Sequence, residues 1–219
     1  MNNDNLKNFA EGFLTGFFDM VSTMLGGKAT FQLQQPFEAD ANAMQSMEKQ
    51  FGGFASASIA EGGAVAVLIP ALDFYTIAAI FLSQEMQARD KIAPEDTATL
   101  REVFEPCLGA GTSFFKEKLG KILTIKNPQL LSEGLSTLEW GDSVFAAPFT
   151  YEAASDITGS GMLLFSVKTA ALVYPDMSRT LKQNEVNDIL SAVGMPPAPQ
   201  KPTEQAPPPP NLDMILDIE

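Results

Sequence analysis

Apolar residues first recur at helical spacing. Across Leu6 to Leu25, in "FLTGFFDMVSTML", Phe13, Phe17, Met20 and Met24 fall on or near one stripe, and the Gly26-Gly27 pair that follows suits a helix C-cap. Shorter apolar runs then predict strands at Ala29 to Gln34, Phe51 to Ala60 and Ala64 to Ile69, with the turn "EGG" making the last two a hairpin. Leu72 to Leu82 reads as a second helix. The run "GAVAVLIPALDFYTIAAIFL" is broken by Pro70 and Asp73 near its middle, so it predicts a buried strand followed by a helix and not a membrane span. Beyond the acidic loop "IAPED" the pattern starts again. A long helix over Thr97 to Leu119 precedes strands near Lys121 to Lys126, Val144 to Glu152 and Gly161 to Val167.

The two halves superpose. A shift of 94 residues lays Glu11 on Glu105, Leu14 on Leu108, Leu25 on Leu119 and Gly26 on Gly120; a shift of 96 lays "VLIP" (Val67 to Pro70) on "LLFS" (Leu163 to Ser166). Each half is one long helix, three strands and a shorter helix. The repeat predicts a duplicated unit with a pseudo-two-fold axis, its two three-stranded elements joined into one sheet of about six strands with helices on its faces. After Met195 the pattern stops in "PPAPQKPTEQAPPPPNLD", an extended proline-rich spacer.

Composition narrows the chemistry. Of 219 residues 45% are hydrophobic, enough for a real core, and the formal net charge of −13 argues against nucleic acid or an anionic membrane as partner. It suits a cytoplasmic protein or one that meets basic partners. The one cysteine, Cys107, has no partner for an internal disulfide, and the N-terminus lacks a signal-peptide pattern. Histidine is absent, which excludes Ser-His-Asp and Cys-His chemistry and argues against zinc. Neither a metal nor a cofactor is expected. Cys107 therefore reads as a small buried residue, and "GAGT" (Gly109 to Thr112) is too short for a phosphate loop.

The helix opening "LREVFEPCLGAG" with its closing "LG" and a later proline resembles the CheC/FliY/CheX phosphatase signature: a Ser or Asp, a Glu, an Asn and, after a spacer, a Pro. The four places fall on Ala98, Glu102, Glu105 and Pro128, so Glu and Pro match, while the first position and the Asn do not. In the first half they fall on Asp4, Asn8, Glu11 and Gln34. The hairpins "IAEGGAVAVLIP" and "DITGSGMLLFS" are also similar to those of this family and of the middle domain of FliM, its non-enzymatic relative. The resemblance implies an α+β fold, a CheC-like, FliM-middle-like α/β/α sandwich with two long helices, over residues 1 to 180.

Two later segments add to it. "KQNEVNDILSAV", Lys182 to Val193, resembles the peptide with which FliM binds the response regulator CheY; Gln183, Glu185, Val186, Ile189 and Leu190 are its candidate contacts. The same spacing also suits an amphipathic helix docked on its own domain. The ending "NLDMILDIE", from Asn211, resembles the opening of a FliN-type domain. The expected layout is thus a CheC-like domain, an amphipathic segment at 181 to 194, a proline-rich linker at 195 to 211 and the start of a truncated FliN-type domain at 212 to 219. The resemblance implies a flagellar motor switch component at the cytoplasmic face of the basal body, with FliM, FliN and FliG as neighbours and phosphorylated CheY as a further partner.

Glu102 and Glu105 carry the chemical question. In the family the amide positions the water that attacks an acyl phosphate; an ionised carboxylate only accepts hydrogen bonds and repels a phosphoryl group. Two readings follow, a scaffold without catalysis or a phosphatase of altered geometry. A third treats the two glutamates as a solvated first-turn pair, and if Pro106 sets the helix start near Glu105 they share no face at all.

Overall fold

The computed structural model describes residues 3–141, 143–154 and 157–175. The segments at 181 to 194, 195 to 211 and 212 to 219, with Gln183, Glu185, Val186, Ile189 and Leu190, lie outside the described residues.

Helix α1 spans Asn3–Leu25 and stops at Gly26, whose φ of 61° only glycine adopts without strain. Strands β1 (Ala29–Leu33) and β2 (Phe37–Ala39) follow, then helix α2 (Ala41–Phe51), the hairpin of β3 (Phe54–Ile59) and β4 (Ala64–Leu68), and helix α3 (Ala71–Leu82). Pro70 occupies the N-cap position of α3, two residues after β4 ends at Leu68, so the broken apolar run is a strand followed by a helix, as predicted. The second half repeats the plan with α4 (Thr97–Leu119), β5 (Ile125–Leu131), a 3-10 turn at Leu135–Thr137, β6 (Val144–Ala153), β7 (Ile157–Ser166) and α5 (Val167–Val173). Among the described residues no helix is long and apolar enough to cross a membrane.

The strands form one sheet in the order β1-β6-β7-β4-β3-β5, with β2 also paired to β6. That order reads as a palindrome of the two halves. At its centre β4 and β7 run antiparallel with Val67 opposite Leu163, the very residues that the 96-residue shift equates, so the pseudo-two-fold passes through this pair. Side chains alternate across the sheet. Val65, Val67 and Ile69 join the large core with Phe9, Phe13 and Phe17 of α1 and Phe104 and Phe115 of α4, all between 0% and 1% exposed. Ala64, Ala66 and Leu68 point the other way, to a smaller core under α2 that includes Met44, Met47, Phe51 and Trp140. Each buried phenylalanine contributes about 1.5 to 3 kcal/mol of transfer free energy, so the face under the long helices dominates.

Two expectations need correction. Residues 41–51 form α2, so Phe51 closes a helix and β3 begins only at Phe54. The signal was local: Asp40 caps the helix by accepting from the Ala43 backbone N–H at 2.7 Å, and Gly52 at φ 68° stops it. Strand β5 lies at 125–131 rather than 121–126, because Leu123 is buried before the strand starts while Pro128 sits inside it. The proline is tolerated since β5 is an edge strand and its pairing with β3 shifts register between Ser56 and Ser58, where Asn127 takes φ 48°. Helix α4 spans Thr97–Leu119 as expected, so the alternative start near Glu105 falls away and Pro106 lies well inside the helix. β2 adds a short seventh strand to the expected six.

Candidate functional site

Helices α1 and α4 lie side by side over the sheet, and their contacts run in opposite sense. Gly12 abuts Phe114 and Phe115, Gly16 abuts Ala110, and Cys107 reaches Met24. The crossing is tight: a Cβ built at Gly16 would sit 2.8 Å from the Ala110 carbonyl carbon and closer still to its oxygen. Gly16 and Ala110 are 94 residues apart, the helical repeat shift, so the pseudo-two-fold passes through this crossing as well as through Val67 and Leu163.

On α4 the buried residues Leu100, Val103, Phe104, Cys107, Leu108 and Phe115 define the inward face. Arg101, Glu102, Glu105 and Pro106 are exposed on the other. Because the helix is continuous from Thr97, Glu102 and Glu105 share a face three residues apart, with Cβ atoms about 5 to 6 Å from one another. Pro106 has no N–H to give the Glu102 carbonyl four residues back, so one rung of the helix ladder is missing beside the two carboxylates. Position 98 is an exposed alanine, and Pro128 of the sequence pattern lies on β5. The first-half counterparts Asn8 and Glu11 are likewise exposed on α1. With the helices antiparallel, Glu11 and Glu105 each lie five residues before the crossing, on opposite sides of it. They stand about 15 Å apart along the helix axes, so the structure brings together each pair but not the two pairs.

The first turn of α4 is fixed from α3. Asp96 occupies the N-cap position yet makes no side-chain cap bond; its carboxylate accepts instead from the Tyr75 hydroxyl at 2.8 Å, while that hydroxyl accepts from the Ala93 N–H at 3.0 Å. Phe74 packs edge-on against Phe104 with ring centroids 4.7 Å apart. These contacts hold the helix that carries Glu102 and Glu105 in register with the sheet.

The remaining polar groups behave as structure. Cys107 is buried, and burial pushes its thiol up to about 12, which keeps it protonated and inert. "GAGT" lies inside α4, where Gly111 serves close packing: the Phe13 ring faces it. Asp73 in the first turn of α3 is held above the usual carboxylate range by burial, against which the hydrogen bond donated by Tyr151 works. Burial and that carboxylate push the Tyr151 phenol up in turn. No group of three or more Cys, Asp and Glu among the described residues is placed to hold a metal ion.

Sequence reasoning missed two features. One is the Asp73–Tyr151 pair, which no spacing reveals because it joins a helix to a strand 78 residues away. The other is a groove between α1 and α4, lined by Asp19, Met20, Pro106, Phe114 and Glu117. Met20 was legible as part of the α1 apolar stripe, but the stripe is core at Phe13 and Phe17 and groove wall at Met20.

No protein-family profile matches the sequence, and no curated protein does. Solved structures match the fold. FliY from Thermotoga maritima aligns with a TM-score of 0.61 at 13% identity, covering 80% of this chain and 95% of that one. A chain of the FliG–FliM complex from H. pylori aligns with a TM-score of 0.60 at 11% identity, covering 82% and 100%. A CheC-like superfamily protein from Shewanella sp. PV-4 aligns with a TM-score of 0.51 at 16% identity, covering 75% and 97%. The chain has the CheC-like, FliM-middle-like fold.

Proposed function

We propose that this chain is a flagellar motor switch component: an interaction module that works with neighbours of the FliM, FliN and FliG kind at the cytoplasmic face of the basal body and binds phosphorylated CheY without hydrolysing it. The observation that carries the reading is the pair Glu102 and Glu105, solvent-facing and adjacent on α4, with a carboxylate where the CheC-type signature has its amide. The likeness to FliY, FliM and CheC-like structures supports the setting.

The electrostatics favour binding without catalysis. An amide donates to a phosphoryl oxygen and orients water; a carboxylate accepts only. A like charge brought within about 4 Å of a phosphoryl oxygen raises the energy by roughly 1 to 4 kcal/mol at effective dielectrics from bulk water to a protein surface. Each 1.36 kcal/mol is tenfold in rate. The first-half pair, Asn8 and Glu11, has an amide, but at the Glu place of the pattern, and again a carboxylate where the amide belongs.

The alternative is an active CheY-phosphate phosphatase working through Glu102 and Glu105. Following complex formation and phosphate release together, with phosphorylated CheY, separates the two readings.

A further inference from the structure

Over the α1–α4 crossing lies a groove of about 520 Å3. Its floor is the close-packed backbone of Gly16 and Ala110, and its apolar lining is Met20, Pro106 and Phe114. The walls carry carboxylates: Asp19 stands on α1 and Glu117 on α4, both exposed. Glu11 and Glu105 lie on the same two helices nearby. Among the described residues the ion pairs are Arg89–Glu95 and Lys91–Glu133, so none of these four acids has a cationic partner, although Lys7 and Arg101 lie one turn before Glu11 and Glu105. The pseudo-two-fold sets Asp19 opposite in kind to Ser113, and Glu117 to Thr23, so each end of the groove has one acid, on opposite walls.

We propose that this groove is the docking site for a basic amphipathic helix of a partner protein. From Pro106 to Glu117 the groove runs for about 17 Å, or roughly three helical turns. Such a length seats one apolar anchor between Met20 and Pro106, which face each other across the groove, and a second at i+7 or i+8 on Phe114, about 12 Å along, with Lys or Arg at both ends facing Asp19 and Glu117. The sign of the charge selects the occupant. The sequence Lys182 to Val193 of this chain carries Glu185 and Asp188 against one lysine, so it lacks the basic charge this occupant needs. A second copy of a chain with net charge −13 is disfavoured for the same reason. The proposal does not rest on CheY binding, since neither Glu102 nor a phosphoryl group enters it.

The test uses the full chain and a fluorescein-labelled synthetic 14-residue peptide with three leucines on one helical stripe and lysines flanking it, read by fluorescence anisotropy at about 0.15 M salt. A scrambled peptide of the same composition and a version with every Lys replaced by Glu serve as controls. The amphipathic lysine peptide is expected to bind at least tenfold more tightly than either. The double variant Asp19→Lys/Glu117→Lys is expected to weaken binding at least tenfold, and Ser113→Trp, which fills the groove from an exposed position, to weaken it as well. The pair Glu85→Lys/Glu152→Lys makes the same change in net charge elsewhere and is expected to leave affinity within about twofold. Equal binding of the scrambled peptide, or equal losses in the two charge-reversal pairs, would overturn the proposal in favour of unspecific attraction. A concentration-dependent dimer abolished by Ser113→Trp would overturn it in favour of a second copy.

Discussion

Replacing Gly16 by alanine tests the helix crossing on which the fold and both candidate surfaces depend. In an exposed helix interior Gly→Ala stabilises by about 1 kcal/mol, since alanine loses less backbone entropy. At Gly16 the new methyl would lie 2.8 Å from the Ala110 carbonyl carbon and 3.0 Å from the Gly111 Cα. These obstacles are backbone, so no rotamer change relieves them, and the helices must separate. Overpacking of this kind costs typically 1 to 3 kcal/mol, and a backbone obstacle places it near the top of that range. The net loss is then about 2 kcal/mol. For a domain of this size each kcal/mol moves Tm by roughly 2 to 4 °C, so Gly16→Ala is expected to melt about 4 to 8 °C below the parent. Gly109→Ala is the internal control. It sits in the middle of α4, and its new Cβ would meet nothing nearer than Ile125 at 4.0 Å, so it is expected to raise Tm by about 2 to 4 °C. Thermal unfolding followed by far-UV circular dichroism reads both. A Gly16→Ala protein as stable as Gly109→Ala would refute the crossing.

Two further expectations concern local chemistry. Asp40→Ala removes the acceptor that caps α2 through the Ala43 N–H, and should lower stability by about 1 kcal/mol in urea unfolding without changing the slope; no loss would show that the cap is idle. Asp73 is raised in the folded protein, so the folded state holds its proton at pH values where the unfolded chain has released it, and stability from this group falls as pH rises from its ordinary value of 3.8 through the raised one. Asp73→Asn keeps an acceptor for Tyr151 and removes that titration; its stability relative to the parent should rise between about pH 3 and pH 7, and a pH-independent difference would contradict the assignment.

Much of this molecule was legible in the order of apolar residues. The long helices and the central β4–β7 pairing follow from the repeat, because equivalent residues such as Val67 and Leu163 meet on the symmetry axis itself. Helix α2 escaped because only Met44, Met47 and Phe51 of its 11 residues are buried, a narrow stripe whose end merges with the apolar start of β3. Strand β5 was misplaced because "KILTIK" is a short apolar run bounded by lysines, while its true span contains a proline that only an edge position permits. At the candidate site the adjacency of Glu102 and Glu105 was readable from their spacing once the helix was continuous. The groove was not, since it exists only where Gly16 lets α1 approach Ala110, a meeting of residues from opposite halves.

The role proposed for the surface at Glu102 and Glu105 is to bind a phosphorylated regulator without hydrolysing it. The most direct measurement is phosphate release from phosphorylated CheY with the parent protein, Glu105→Asn and Glu105→Ala, alongside complex formation for each. Binding by the parent with no acceleration of release is expected, and an acceleration of one to two decades in Glu105→Asn, the range set by removing a like charge near the phosphoryl group. Acceleration already present in the parent and abolished in Glu105→Ala would contradict it and establish the enzyme instead.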